Sequence, residues 1–141
     1  MPLTLSEHAT QLRLGTFQLA RRLRAEKADD ELSDGQFSVL AALYVHGPHT
    51  LGALAEREHV SPPSMNRTVN CLEKNEYLSR LEDPADRRRV TIALTEAGTA
   101  LVRDTVTQRD AWISKQLLTL TPEERDTIAR AAEIMRRLAT Q

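Results

Sequence analysis

Two groups of side chains in this sequence have the types and spacing for chemistry. In both, that chemistry is hydrogen bonding and charge rather than bond breaking. The first lies in the segment from Ser61 to Lys74, SPPSMNRTVNCLEK, where Ser61, Pro63, Ser64, Asn66, Arg67, Asn70, Cys71 and Lys74 fall off the apolar positions. Asn can pair bidentately with adenine and Arg with guanine, while Lys and Ser can hold phosphate oxygens. The second group is Arg87, Arg88 and Arg89, which follow Asp83-Pro84-Ala85-Asp86. Three adjacent arginines repel one another unless an anion is near, and arginine suits a narrow minor groove and its phosphates. Asp83 and Asp86 offset part of that charge and brace the turn. Taken alone, each group also fits an ordinary surface: an amphipathic helix with a solvated face, and a loop closed by ion pairs.

The elements around these groups decide between the readings. Ser61 is a good N-cap, and Pro62 suits the first helical position because its missing N–H would have had no partner there. Met65, Val69 and Leu72, with Thr68 beside them, recur at helical spacing and make one inward face. Downstream, Tyr77, Ser79 and Leu81 alternate with Leu78, Arg80 and Glu82, and Val90, Ile92 and Leu94 alternate with Thr91, Ala93 and Thr95. Both runs read as strands, and the Pro and Asp residues between them are turn chemistry. Helix, strand, arginine-rich turn, strand is the plan of a winged helix-turn-helix, which sets a polar helix face beside a basic finger.

The run Asp83-Pro84-Ala85-Asp86-Arg87-Arg88, followed by a strand and Leu94-Thr95-Glu96-Ala97-Gly98, resembles the signature wing of the MarR family of bacterial transcriptional regulators. So does Val60-Ser61 opening a helix that ends Leu72-Glu73-Lys74, with Arg80 a few residues on. The resemblance covers nearly the whole chain, including its length and the order of its helices. It implies a triangular homodimer held by N- and C-terminal helices, and control by aromatic or phenolic acids bound between the winged module and those helices. Two positions depart from the pattern. Glu76 stands where the family usually has Gly, which accepts φ > 0 at a helix C-terminus. Either Asn75 takes that conformation instead, or the corner is reshaped. Cys71 stands where the family often has arginine, which removes one expected phosphate contact.

Taken in order, the rest of the chain is helical. Ser6 to Ala28 reads as a first helix, with Leu5, Leu12 and Leu19 at heptad spacing and Arg21, Arg22, Arg24 and Lys27 at its end. Ser33 and Gln36 form a capping box for a second helix to Val45, with Phe37, Leu40, Ala41 and Tyr44 on one face. Gly47-Pro48 stops it, and His49-Thr50 reads as a short strand beside the wing. Thr50 caps a third helix, Leu51 to Glu58, and His59-Val60-Ser61 is the corner of a helix-turn-helix. Thr95 caps a long fifth helix carrying Trp112, and Thr121-Pro122-Glu123-Glu124 starts a last one with Ile128, Met135 and Leu138 on its stripe. The expected architecture is mainly α with a small β wing, in one domain of residues 1–141. Residues 33–95 form the winged module, and residues 6–30 and 96–141 form dimerisation helices. Their stripes exceed what one small domain can cover. A two-fold dimer through Leu5, Leu12, Leu19, Trp112, Ile128, Met135 and Leu138 would bury them. It would also set two recognition helices about one DNA turn, roughly 10 base pairs, apart on a pseudo-palindromic operator.

Composition excludes more than it identifies. The net charge is −1, so any basic surface must come from placement rather than from the whole chain. One cysteine permits no intramolecular disulfide. The first residues lack a signal-peptide pattern, and no run approaches the ~20 apolar residues needed to span a bilayer. Cytoplasmic DNA binding with no membrane association is expected. No phosphate-binding Gly loop or nucleophile elbow is present, so an enzyme is not expected, nor is a cofactor. His8, His46, His49 and His59 lack ligand spacing with Cys71, which speaks against a metal. A metal- or redox-sensing variant and a winged module that docks protein are the alternatives. No ligand-binding residue can be assigned; His8, Phe17, Phe37, Tyr44 and Trp112 are the aromatics that could reach a cleft.

Overall fold

The computed structural model describes residues 1–141. The chain opens with α1 (Leu5–Ala25), then α2 (Asp34–His46), β1 (His49–Thr50), α3 (Leu51–Arg57) and α4 (Pro62–Lys74). The hairpin β2 (Leu78–Glu82) and β3 (Val90–Leu94) follows, and α5 (Glu96–Leu117) and α6 (Pro122–Ala139) close the chain. The architecture is a winged helix-turn-helix with long flanking helices.

Side-chain caps set the helix starts. Thr4, Ser33 and Thr121 each accept a hydrogen bond from the backbone three residues on, and Glu7, Gln36 and Glu124 return it. The first of these boxes moves the start of α1 ahead of Ser6. Its end comes earlier than Ala28, for a reason far away in the chain. Arg109 of α5 donates from Nε to the carbonyls of Leu23 and Glu26, both at 3.0 Å, and Ala28 N donates to Thr105 Oγ1 at 3.1 Å. These partners satisfy the backbone outside the helical ladder, so the helix stops at Ala25.

The sheet is antiparallel with strand order β1-β3-β2. His49 pairs with Ile92, Leu78 with Leu94, and Arg80 with Ile92 across the hairpin. Tyr77 lies outside the strand. Fourteen apolar residues form the core, among them Leu40, Leu54, Met65, Val69, Leu72, Leu78, Ile92 and Val102. The face that buries α2 is set by Phe37, Val39, Leu40 and Leu43, whereas Tyr44 points outward and is 44% exposed. No residue of α1 or α6 is buried, and Leu5, Phe17, Ile128 and Leu138 are among their exposed apolar side chains.

Two corners adopt left-handed backbone without glycine. His59, after α3, has φ 56° and Glu76, after α4, has φ 65°. At each corner the residue beyond bonds back five residues: Val60 N to Ala55 O and Tyr77 N to Leu72 O, both at 3.0 Å. The inner bonds, His59 N to Glu56 O and Glu76 N to Glu73 O, complete a Schellman motif in both places. Glu76 itself therefore takes the conformation expected of Gly, while Asn75 stays at φ −83°. The hydrogen-bonding pattern fixes which residue is left-handed, and it overrides the preference of Asn for that region.

Candidate nucleic-acid interface

The buried stripe of α4, Met65, Val69 and Leu72, divides its polar residues into a ridge and two flanks. Pro63, Arg67, Asn70 and Lys74 lie opposite the core and are exposed. Ser64 and Cys71 fall on the flank toward α2, where Gln36 Nε2 donates to Cys71 Sγ at 3.3 Å. Ser64 Oγ accepts from Arg67 Nη2 at 3.1 Å, which holds that guanidinium along the helix. Ser61 Oγ is engaged in capping, accepting from Ser64 N at 3.3 Å. Asn66 belongs to the other flank, beside β2, and is only partly exposed.

Between that flank and the wing sits Arg80, a residue prominent in the sequence only as part of the family resemblance. Its Nη2 donates to Asn66 Oδ1 at 3.2 Å and to Asn70 Oδ1 at 2.6 Å, and its Nε lies 3.5 Å from Glu73 Oε1. Strand alternation explains its direction. Arg80 shares the core-facing side of the sheet with Leu78 and Ile92, at the point where the core ends and the flank of α4 begins. The wing tip starts three residues, about 10 Å, further along the same strand.

At the tip, Asp83 and Asp86 act through backbone. Asp83 Oδ1 accepts from Ala85 N at 2.8 Å and Asp86 Oδ1 from Arg88 N at 3.0 Å. Asp83 N to Arg89 O, 2.9 Å, and Arg89 N to Asp86 O, 3.0 Å, close the turn. These are Asx turns, which fix the loop without consuming the arginine charges. The single ion pair at the tip is Arg88 to Asp86 at 3.8 Å, with the arginine side chain 97% exposed, and so contributes little. Arg87 and Arg89 have no acidic partner and are exposed.

A second feature lies where α2, α4 and the end of α1 meet α5. A cavity of about 560 Å³ is lined by Arg24, Gln36, Phe37, Thr68 and Arg109, among others. The Arg109 guanidinium stacks over Phe37 at 4.5 Å from the ring centroid. Burial pulls its pKa below the ordinary arginine value, and Asp34 opposes that shift. Of the other aromatics considered from sequence, Phe17 lines an adjoining hollow with Arg21 and Arg24. Trp112 lies under Arg22 at 4.6 Å, and His8 hydrogen bonds to Thr4 O at the far end of α1. His49 engages both ring nitrogens within the protein: Nδ1 to Gly47 O at 2.7 Å, and Nε2 accepting from Arg57 Nε at 3.2 Å. No group of three metal-ligating side chains comes together, and no helix is long and apolar enough to cross a membrane.

A sequence model of the MarR family matches residues 32–90. An uncharacterized HTH-type transcriptional regulator of Mycobacterium bovis is 37% identical over 127 residues, covering 90% of this chain and 89% of its own. The HTH-type transcriptional repressor MdtR of Bacillus subtilis is 31% identical over 108 residues, covering 77% and 68%. Among solved structures, that of RV1404 from Mycobacterium tuberculosis superposes with a TM-score of 0.86 at 27% identity, covering 97% of this chain and 95% of that one.

Proposed function

We propose, since this chain belongs to the MarR family and is an HTH transcriptional regulator rather than an enzyme, that it acts as a homodimeric repressor on a pseudo-palindromic operator and lets go when a small aromatic acid binds. Ser64, Arg67, Asn70 and Lys74, with Asn66 on the flank, enter the major groove. Pro63 and the Ser61 cap approach the backbone there. Arg87, Arg88 and Arg89 reach the minor groove or its phosphates. The observation that carries this reading is the wing tip, where acidic residues are committed to backbone N–H groups and two neighbouring arginines are left without a counter-ion. Holding like charges together costs free energy that DNA phosphate would recover.

The surface of the protomer supports pairing. The chain exposes 10351 Å², whereas a compact monomer of this mass exposes about 7,300 Å². The excess, about 3,000 Å² per chain, is of the order that obligate homodimers bury. The apolar groove between α1 and α6, lined by Leu12, Leu19, Ile128 and Met135, is one part of that uncovered surface. In this reading α1, α5 and α6 are the dimerisation helices and the stretch from α2 to β3 is the DNA-binding module. The place of work is the cytoplasm. The Arg24, Phe37 and Arg109 cavity, with its aromatic floor and two cations, suits an aromatic carboxylate. The repressor assignment follows the likeness to MdtR, an HTH-type transcriptional repressor.

The test is a titration of duplex DNA at several salt concentrations. Two protomers contacting six or more phosphates should lose roughly a thousandfold in affinity between about 50 and 200 mM salt. A flat salt dependence would favour a protein-docking role for the same helix face. A footprint upstream of the chain's own gene, weakened by salicylate-like acids, would support operator binding and release.

A further inference from the structure

Arg80 donates to the side-chain oxygens of Asn66 and Asn70 at once, at 3.2 and 2.6 Å, and a guanidinium can only donate. The amide orientations are therefore not interchangeable: whichever atom faces Arg80 must be the oxygen. The Nδ2 group of each Asn is left with no partner in the protein. Along the exposed ridge the remaining groups are Arg67 and Lys74, which are also donors. The nearest carboxylate, Glu73, lies on the flank and is turned to Arg80 at 3.5 Å. From the wing side, α4 thus offers donors to a ligand and little to accept from one.

We propose that Arg80 is a specificity-positioning residue that, by occupying the Oδ1 atoms of Asn66 and Asn70, makes α4 select operator edges rich in acceptors. This rests on the DNA-binding reading above and adds the base preference. In the major groove the acceptors are guanine O6 and N7, adenine N7 and thymine O4, while cytosine N4 and adenine N6 present donors. Asn free at both ends would pair bidentately with adenine. Asn held by Arg80 gives Nδ2 to a guanine or thymine edge instead; at adenine it can still donate to N7 but has no acceptor left for N6, and at cytosine it meets N4 with a second donor. The half-site should therefore carry guanine or thymine, and exclude cytosine, where Asn66 and Asn70 reach the bases.

The experiment is selection from a random duplex library by the wild-type chain and by Arg80→Met, Arg80→Lys and Asn70→Asp, followed by affinity measurement on the winning sites and on a nonspecific duplex. Wild type should select guanine or thymine at two positions of each half-site. Arg80→Met should relax those two positions, admitting adenine and losing about tenfold in discrimination, with other positions unchanged. Arg80→Lys, which still donates, should restore part of the preference. Asn70→Asp keeps an acceptor for Arg80 and so keeps the fold. It should lose discrimination at one position only, which makes the proposal testable even where Arg80→Met destabilises the wing. An unchanged motif in Arg80→Met that folds normally, or a wild-type motif with cytosine under both amides, overturns the proposal. A wild-type chain that enriches no sequence overturns the DNA-binding reading itself.

Discussion

Glu76 and His59 hold a backbone conformation that costs an L residue about 1 kcal/mol or more, because Cβ crowds the carbonyl oxygen. Neither side chain has a hydrogen bond that requires its identity, apart from backbone groups that any residue supplies. Thr95 Oγ1, for instance, donates to the Glu76 carbonyl at 2.6 Å. Replacing Glu76 by Gly should therefore stabilise the fold by about 0.5–1 kcal/mol, the relief of strain less the extra freedom of the unfolded chain. His59→Gly should do the same, and because the two corners are separate the gains should add. Urea unfolding of the two single variants and the double variant measures this, and a loss of stability in both singles would contradict it. That a corner with φ > 0 follows α4 was legible in the sequence from the position of Glu76 in the family pattern. Which residue adopts it was not, since that depends on where the last helical bonds close. Arg80 was hidden for a related reason. Its partners lie 10 and 14 residues away, across a contact between strand and helix that local spacing does not encode.

At the scale of elements, the start of α5 is pressed against the backbone that leaves α4. Gly98 lies so close to the Tyr77 carbonyl that a Cβ on it would sit 1.9 Å from the carbonyl oxygen, far inside van der Waals contact distance. The obstacle is backbone rather than a flexible side chain. Gly98→Ala should therefore cost about 1–3 kcal/mol by overpacking, despite the better helix propensity of Ala. Thermal denaturation of the variant reads it, and an unchanged midpoint would rule out so tight a contact. The same Tyr77 ties this junction to the linker between α1 and α2, donating from its hydroxyl to Asp29 Oδ2 at 2.7 Å. That hydrogen bond, then burial, then the charges of Asp29 and Glu31, push its pKa up to about 12. A folded-state pKa above the unfolded value of about 10 means the bond contributes fully below pH 10 and is lost as pH rises through 12. Tyr77→Phe should cost about 1 kcal/mol at neutral pH, and the gap from wild type should close between about pH 10 and 12. A gap that stays constant in urea titrations over that range would contradict the linkage. Helix starts were readable from Ser33 with Gln36 and from Thr121 with Glu124, because a capping box is local. The end of α1 was not, because Arg109 and Thr105 terminate it from more than 75 residues away.

For the whole molecule, the division of the chain into a packed half and an uncovered half has a measurable consequence. The core draws on α2 to α5, β2 and β3 together with Leu32, and takes nothing from α1 or α6. A charge placed in the groove between those two helices should therefore leave the winged module folded while removing whatever covers the groove. Leu19 is suited to this, since it lines the groove with Met135 and is 48% exposed in the single chain. If the cover is a second copy, Leu19→Glu would bury a carboxylate from each copy against apolar surface, a cost that an interface does not tolerate without a partner charge. The variant should sediment with the mass of one chain at micromolar concentration. Its unfolding midpoint should lose the dependence on protein concentration that a dimer shows. Operator affinity should fall by about a hundredfold or more, because the second half-site is no longer delivered by the first. Its salt dependence should drop to roughly half, because one protomer contacts half the phosphates. These readouts separate two causes of weak binding. Loss of affinity with the full salt slope retained would mean that the substitution damaged the recognition surface. A halved slope with an intact circular dichroism spectrum would mean that two winged modules had been working as a pair. A variant that keeps both a dimeric mass and full operator affinity would show that the groove faces something other than a second copy.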